Sequence, residues 1–346
     1  MPVMILVRHY SIIPNGFDRA YPVFFILILS FSPILFTILF FCFVEEAHIS
    51  WSKSCNVWEN MNLALPKILL RHSVIKVLLS LKIIRNERAI NFNSNANCFV
   101  NLNDPEPRNV FLKSSFDPDF FYLAEKLIPL TGTYFDLGAN VGFCSFGLVP
   151  NRPKVDYHLF EANPDIIKLL RKSIHLHSNQ NIILNHACVS DSLGVTRFKL
   201  SKNQTGQSHV STLPLDGIEI PNIRLDKYCR DKRIDSVDFA KIDLEGHELP
   251  VLHGWKNFLS EKKIKAIYIE IIPENQLRYK RATNSPLRYL ESLGFNLFLC
   301  KTEDFGIWGE SPKELIFNNN SFILSQFKAN DFPEDFSTDV LALKAL

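Results

Sequence analysis

The sequence predicts an α/β protein: a doubly wound, mostly parallel sheet with helices on both faces, preceded by an N-terminal transmembrane helix. Three observations carry this. From about Val110 onward short apolar runs alternate with helix-length stretches, the pattern of a parallel sheet with crossover helices. Glycine turns and acidic residues stand where those runs end. Residues 20–44 form one uncharged stretch, bounded by Arg19 and Glu45.

Composition narrows the function classes. The chain has 346 residues, 47% hydrophobic and 21% charged, so it can bury a core and is not mainly disordered. Lys and Arg number 38 against 36 Asp and Glu, without the basic excess of a dedicated nucleic-acid binder. The seven Cys are scattered and none forms Cys-x-x-Cys, which excludes a zinc ribbon or a thioredoxin-type motif. An odd, scattered set reads as reduced thiols.

Residues 1–19 form a short tail. A bilayer core takes about 20 apolar residues as a helix, and a signal peptide has an apolar core of roughly 7–15. The run over 20–44 therefore predicts a single-pass anchor, with Pro33 kinking it. Arg8 and Arg19 before the run favour an outside domain. Residues 45–109 form a basic linker. There Lys67, Arg71, Lys82 and Arg85 fall on one arc of a helix, which suits a cytoplasmic leaflet or packing on the next domain. A main domain over 110–326 and a tail over 327–346 complete the division.

Within the main domain, Thr133–Leu137 and Asp156–Phe160 read as strands, and Asn163-Pro164 caps the helix that runs to about His177. Ile182–Leu184, Val195–Leu200, Val237–Ile242, Lys265–Ile272, Phe295–Cys300 and Ser321–Ser325 are further strands. Helices are expected over His247–Leu259 and from Ser285-Pro286 to Leu293, where Gly294 ends the second. In such sheets ligands sit at the carboxyl ends of the strands.

The sharpest segment is Phe135-Asp136-Leu137-Gly138-Ala139-Asn140-Val141-Gly142, a strand, a tight turn and a helix start. Gly138 and Gly142 permit positive φ and close approach, and the helix start offers amides to a negative group. Asp136 would repel a phosphate but welcome an ammonium. The pair fits the amino-acid end of S-adenosylmethionine. Glu161, 19 residues after Gly142, can accept both hydroxyls of a ribose, as in dinucleotide sites. The turn lacks the Gly-x-Gly-x-x-Gly of a dinucleotide fold. Lys241-Ile242-Asp243-Leu244-Glu245-Gly246-His247-Glu248 places several ionisable groups after one strand. Asp243, Glu245 or His247 can take a proton as general base, or these residues cap the following helix. No metal is called for, though Asp243 and Glu245 could bind one.

These motifs, in this order, resemble the FkbM family of S-adenosylmethionine-dependent methyltransferases. Asp136-x-Gly138-Ala139-Asn140-x-Gly142, Phe160-Glu161-x-Asn163-Pro164 and Lys241-x-Asp243-x-Glu245-Gly246-x-Glu248 carry the likeness, over about residues 110–326. It implies a class I methyltransferase fold and transfer of a methyl group to a hydroxyl of a sugar, glycolipid or related secondary metabolite. It assigns Asp136, Gly138, Asn140, Gly142 and Glu161 to the cofactor, and places the adenine at Ala187–Asp191, including Cys188. With the anchor, it puts the catalytic domain on the cytoplasmic face, where lipid-linked glycans are natural acceptors. Gln204–Asn222 and Thr302–Pro312 are expected to shape the acceptor site. The rival readings are a dinucleotide-dependent oxidoreductase, and a catalytically inactive, membrane-anchored binding module.

Overall fold

The computed structural model describes residues 3–10, 22–32, 35–43 and 67–344, apart from 202–203, 306–307 and 318–319. The chain divides into two compact units, Met1–Leu65 and Pro66–Leu346.

In the first unit β1 (Val3–Tyr10), β2 (Pro22–Ser32) and β3 (Leu35–Phe43) form a three-stranded antiparallel sheet in chain order. Val3 pairs with Leu29, and Ser32 with Leu35. This corrects the membrane reading. Within the uncharged run, Pro22–Ser32 and Leu35–Phe43 are strands, and among the described residues no helix is long and apolar enough to cross a membrane. The single-pass anchor over 20–44 and the cytoplasmic placement drawn from it therefore fall. The physical reason lies in the run itself. Its Phe, Ile, Val and Thr favour the pleated surface of a strand, and Pro33, which suits no helix interior, lies in sequence between the two strands. Apolar length was the signal, and length does not separate a helix from a strand pair.

The second unit opens with α1 (Lys67–Ser80), the hairpin β4 (Glu87–Phe92) and β5 (Ala96–Asn101), then α2 (Pro105–Lys113) and α3 (Pro118–Leu127). Next come β6 (Thr133–Leu137), α4 (Phe143–Leu148), β7 (Asp156–Glu161), α5 (Pro164–Leu176) and β8 (Ile182–His186). A side sheet follows from β9 (Cys188–Val189), β10 (Gly194–Lys199), β11 (His209–Val210) and β12 (Ile218–Ile223). Then come α6 (Leu225–Lys232), β13 (Val237–Ile242), α7 (Glu248–Gly254), α8 (Lys256–Ser260), β14 (Ile264–Ile271), α9 (Pro273–Arg278) and α10 (Ser285–Ser292). The chain finishes with β15 (Phe295–Leu299), β16 (Lys313–Phe317), β17 (Asn320–Phe327) and β18 (Thr338–Lys344).

The main sheet has nine strands in the order β16-β17-β15-β18-β14-β13-β6-β7-β8. The five from β14 to β8 are parallel, and β18, β15, β17 and β16 join antiparallel. The sheet is therefore mixed rather than mostly parallel throughout. Residues 327–346, expected as a tail, supply β18, which is buried between β14 and β15. Its short all-buried run shows no alternation of polar and apolar residues, and so gives no strand signal of its own.

Local chemistry starts three helices the same way. Asp104, Asp117 and Asn163 each precede a proline, and each side chain accepts a backbone N–H of the first turn. Lys82 lies beyond the end of α1, with φ 55°, so the basic arc expected through Lys82 and Arg85 is not continued on that helix.

Alternation along the strands separates two apolar layers. Tyr134, Leu159, Phe239 and Tyr268 face the layer of α3, α4 and α5. Phe135, Phe160, Ala240 and Ile269 face that of α6, α7, α8 and α10. In the second layer Phe135 stacks on Trp255, with ring centroids 5.5 Å apart and planes 2° from parallel. Trp255 has no solvent exposure. Replacing Trp255 by Ala is expected to lower stability by about 3–5 kcal/mol, seen as a fall in the urea midpoint; a midpoint within error of the wild type would refute the packing argument.

Candidate active site

The strand order reverses at β6 and β13, which lie side by side with Leu137 opposite Ile242. Crossovers leave this point in opposite directions, so a crevice opens beyond the strand ends. A cavity of about 630 Å³ lies there, walled by the glycine turn, the ends of β7 and β13, β9, α2 and the Gln204–Ser208 segment.

The glycine turn is clamped from both sides. Gly138 and Ala139 donate their N–H groups to the Phe160 carbonyl, both at 3.0 Å, and Asp243 donates its own to the Leu137 carbonyl at 3.0 Å. A Cβ on Gly138 would lie 1.9 Å from the Asp243 carbonyl oxygen, and φ there is +83°. Gly142, with φ +87°, leaves room for the Phe146 ring, which a Cβ would meet at 2.4 Å. Close approach of backbone at Gly138 and of a core ring at Gly142 thus demands both glycines, and the turn's exposed edge faces the cavity. Asn140, with φ 47°, sends its N–H to Glu161 Oε2 at 2.9 Å. Glu161 Oε1 accepts the Asn163 N–H at 2.7 Å. Burial pushes Glu161 up to about 7, against these amide bonds.

Asp136 lies beneath the cavity and is not part of its wall. It is fully buried; Oδ2 accepts the Ser145 hydroxyl at 2.5 Å, and Oδ1 has no hydrogen-bond partner. Burial raises its pKa, opposed by the nearby Lys241 ammonium. Cys188 does reach the wall. Burial pushes its thiol up to about 12, so it is a neutral apolar contact at neutral pH.

The second group gathers across from the turn. Lys241 Nζ is 2.8 Å from Asp243 Oδ2. Burial opposes the lysine's charge, but Asp243 and Asp136 outweigh it and hold its pKa well above the ordinary value. Glu245 Oε2 accepts from Asn275 Nδ2 at 2.8 Å, and burial and Asp243 push Glu245 up to about 7. His247 Nε2 is 3.1 Å from the Ser190 hydroxyl, which donates to Asp191. That leaves Nδ1 as a bare acceptor, buried and without a partner. Burial, helped by Arg281, pushes His247 down to about 4, so it is neutral. Glu248 shapes the turn and ties it to α9: Oε1 accepts the Leu244 and Gly246 N–H groups, and Oε2 accepts from the Gln276 side chain.

Asp243, Glu245, His247, Gly138, Asn140, Glu161 and Cys188 therefore meet at one cavity, whereas Asp136 and Gly142 stay outside its wall. Sequence reasoning placed Glu270 on a strand and did not assign it to the site. Its carboxylate lies with those of Asp243 and Glu245, ligand oxygens within 4.8 Å of one another, a spacing a cation could bridge. One signal existed: a lone acid inside the apolar run Ile267–Ile272. Glu106 and Asp104 were missed too, and no spacing relates them to the motifs. Of the two segments expected at the acceptor, Gln204–Asn222 reaches the cavity through Gln204–Ser208 and Val210. Among the described residues Thr302–Pro312 supplies none of its wall.

Residues 136–297 match the methyltransferase FkbM domain. The matched segment holds β6, the glycine turn, Glu161 and the Asp243–His247 group. The segment is similar to an FkbM methyltransferase domain, a match that spans a little under half of the chain and implies S-adenosylmethionine as the methyl donor. No curated protein matches the chain significantly. Among solved structures, the chain is similar to the precorrin-6y C5,15-methyltransferase of Geobacter metallireducens, with 12% identity and a TM-score of 0.34, over 65% of this chain and 87% of that one. It is also similar to TYW2 of M. jannaschii in complex with AdoMet, with 10% identity and a TM-score of 0.31, over 75% and 86%. A third is TrmK of M. capricolum in complex with S-adenosylhomocysteine, with 13% identity and a TM-score of 0.29, over 63% and 70%. Scores this low add nothing to the assignment, which rests on the matched domain.

The residues present fit the donor. The cavity volume lies within the range of small-molecule sites, Glu161 can still accept through its remaining lone pairs, and His247 Nδ1 is an unsatisfied acceptor on the wall. If Glu161 accepts the two ribose hydroxyls it does so ionised, and affinity for S-adenosylhomocysteine should then hold steady above about pH 8 and weaken as pH falls through 7. Calorimetry across pH 5.5–8.5 tests this; an affinity that rises towards acid would refute it.

Proposed function

We propose that this domain transfers the methyl group of S-adenosylmethionine to a hydroxyl of a sugar or related polar metabolite. One observation carries the reading: Glu161 and the glycine turn face the same cavity as Asp243, Glu245 and His247. A lipid-linked acceptor rested on the transmembrane helix and is not proposed. When bound, the donor supplies an electrophilic methyl on a sulfonium sulfur. Gly138 and Asn140 present the turn's edge to it, and Glu161 takes the ribose hydroxyls. Cys188 contributes an apolar wall beside Ala187, where the adenine is assigned. Asp136 supports the turn from below through Ser145.

The acceptor oxygen must lie in line with the sulfonium methyl, and its proton must leave. Glu245 is the best base available. Its pKa, about 7, is close to a neutral operating pH, where general base catalysis is most effective. Asp243 is committed to Lys241, so the pair orients the hydroxyl rather than removing its proton. His247, held near 4, is a weak base and serves as a hydrogen-bond acceptor on the wall. Positioning and exclusion of water supply the rest of the acceleration.

Titration of the full chain with S-adenosylhomocysteine is expected to give micromolar binding that Glu161→Ala abolishes; binding of NAD instead would replace this reading with the oxidoreductase. Glu245→Gln should leave that binding intact. Transfer of labelled methyl groups into a panel of sugars should fall by roughly 10²–10⁴-fold. Undiminished transfer would remove Glu245 from the mechanism.

A further inference from the structure

The cavity is out of charge balance. Six carboxylates reach its wall: Asp104, Glu106, Glu161, Asp243, Glu245 and Glu270. Among the described residues the only lysine or arginine there is Lys241. Most of these acids are already committed. Asp104 accepts from the Glu106 N–H and from Thr205 through both its N–H and its hydroxyl. Glu161 accepts two backbone amides. Asp243 is answered by Lys241, and Glu245 accepts from Asn275. Glu270 lies against Asp243 and Glu245.

Glu106 differs. It lies on the first turn of α2, outside the matched domain, and stays exposed to the cavity. One oxygen, Oε2, accepts from the Asn140 side chain at 3.2 Å, which places the carboxylate directly beside the glycine turn. No cation among the described residues pairs with it. Gly206 closes over the contact: a Cβ there would lie 3.1 Å from Asn140 Nδ2 and 3.8 Å from Glu106 Oε2. The charged groups facing Glu106 are Asp243 and Lys241 from the end of β13 and Asp104 from its own segment. Enclosure by protein, with the nearby Asp243, raises its pKa, against Lys241 and Asn140.

We propose that Glu106 makes the cavity select the cationic methyl donor over its neutral product. This rests on the donor site described above. S-adenosylmethionine carries one more positive charge than S-adenosylhomocysteine, because transfer turns a sulfonium into a thioether. The remaining groups of the two molecules are the same. A carboxylate without a cationic partner that lies beside the sulfonium gains from the first molecule alone and so favours donor entry and product release, whereas beside the ammonium that both carry it would gain from both. An acid on a helix first turn is also favourable to the helix itself, and the test separates the two roles.

The experiment is calorimetric titration of the full chain with each molecule at pH 8, for wild type, Glu106→Gln and Glu106→Asp. Wild type is expected to bind S-adenosylmethionine roughly tenfold more tightly than S-adenosylhomocysteine, an effect of the size of one nearby opposite charge. Glu106→Gln keeps the volume and an acceptor for Asn140. It should remove most of that preference and leave S-adenosylhomocysteine affinity unchanged. Glu106→Asp should retain the preference. Equal affinities in wild type, or an undiminished preference in Glu106→Gln, overturn the proposal while leaving the donor site in place. Equal losses for both molecules in Glu106→Gln assign the residue to the ammonium that both carry or to a structural role, and also overturn it. If wild type binds neither molecule, the donor site falls and the proposal with it.

Discussion

The approach of the Gly138 turn to the chain after β13 is the constraint on which the site depends. No side chain fits between Gly138 and the Asp243 carbonyl. That contact, with the N–H bond from Asp243 to Leu137, locks the ends of β6 and β13 together at the point where the strand order reverses. On the other side the Phe160 carbonyl takes two N–H groups from the same turn. Three strand ends are thereby fixed relative to one another by backbone alone. The side chains that follow them, Asn140, Glu161 and Asp243, inherit those positions.

Electrostatics builds on this frame. The sheet's apolar layers surround the cavity floor, so ionisable groups there are removed from bulk water and shift accordingly. Glu161 and Glu245 move up and His247 moves down. Lys241 keeps its charge because Asp243 and Asp136 outweigh the cost of its burial. The result is a pocket rich in carboxylates with one lysine, suited to a positively charged ligand. A phosphate-rich dinucleotide would meet repulsion there.

The parts outside the matched domain are structural partners of the site, not additions to it. α2 brings Asp104 and Glu106 to the wall, and Thr205 in the side-sheet insertion hydrogen-bonds to Asp104. β18 completes the sheet from the chain's end, between β14 and β15. The second unit, Pro66–Leu346, is thus larger than the motif-bearing region at both ends.

The sequence alone determined the alternating core strands, the glycine turn, Glu161 and the Asp243–His247 group, because each is a local pattern with a local cause: strand, turn, cap. The Asn163-Pro164 cap is legible for the same reason. Tertiary structure decided what depends on long-range approach. It set Asp136 beneath the cavity, and it carried Glu106 from α2 and Glu270 from β14 to a wall formed by β6 and β13. It drew the final strand into the middle of the sheet, and within the uncharged run it paired Pro22–Ser32 with Leu35–Phe43 as strands. Apolar length is common to a spanning helix and a strand pair; which one forms depends on pairing partners, and a linear pattern does not contain them.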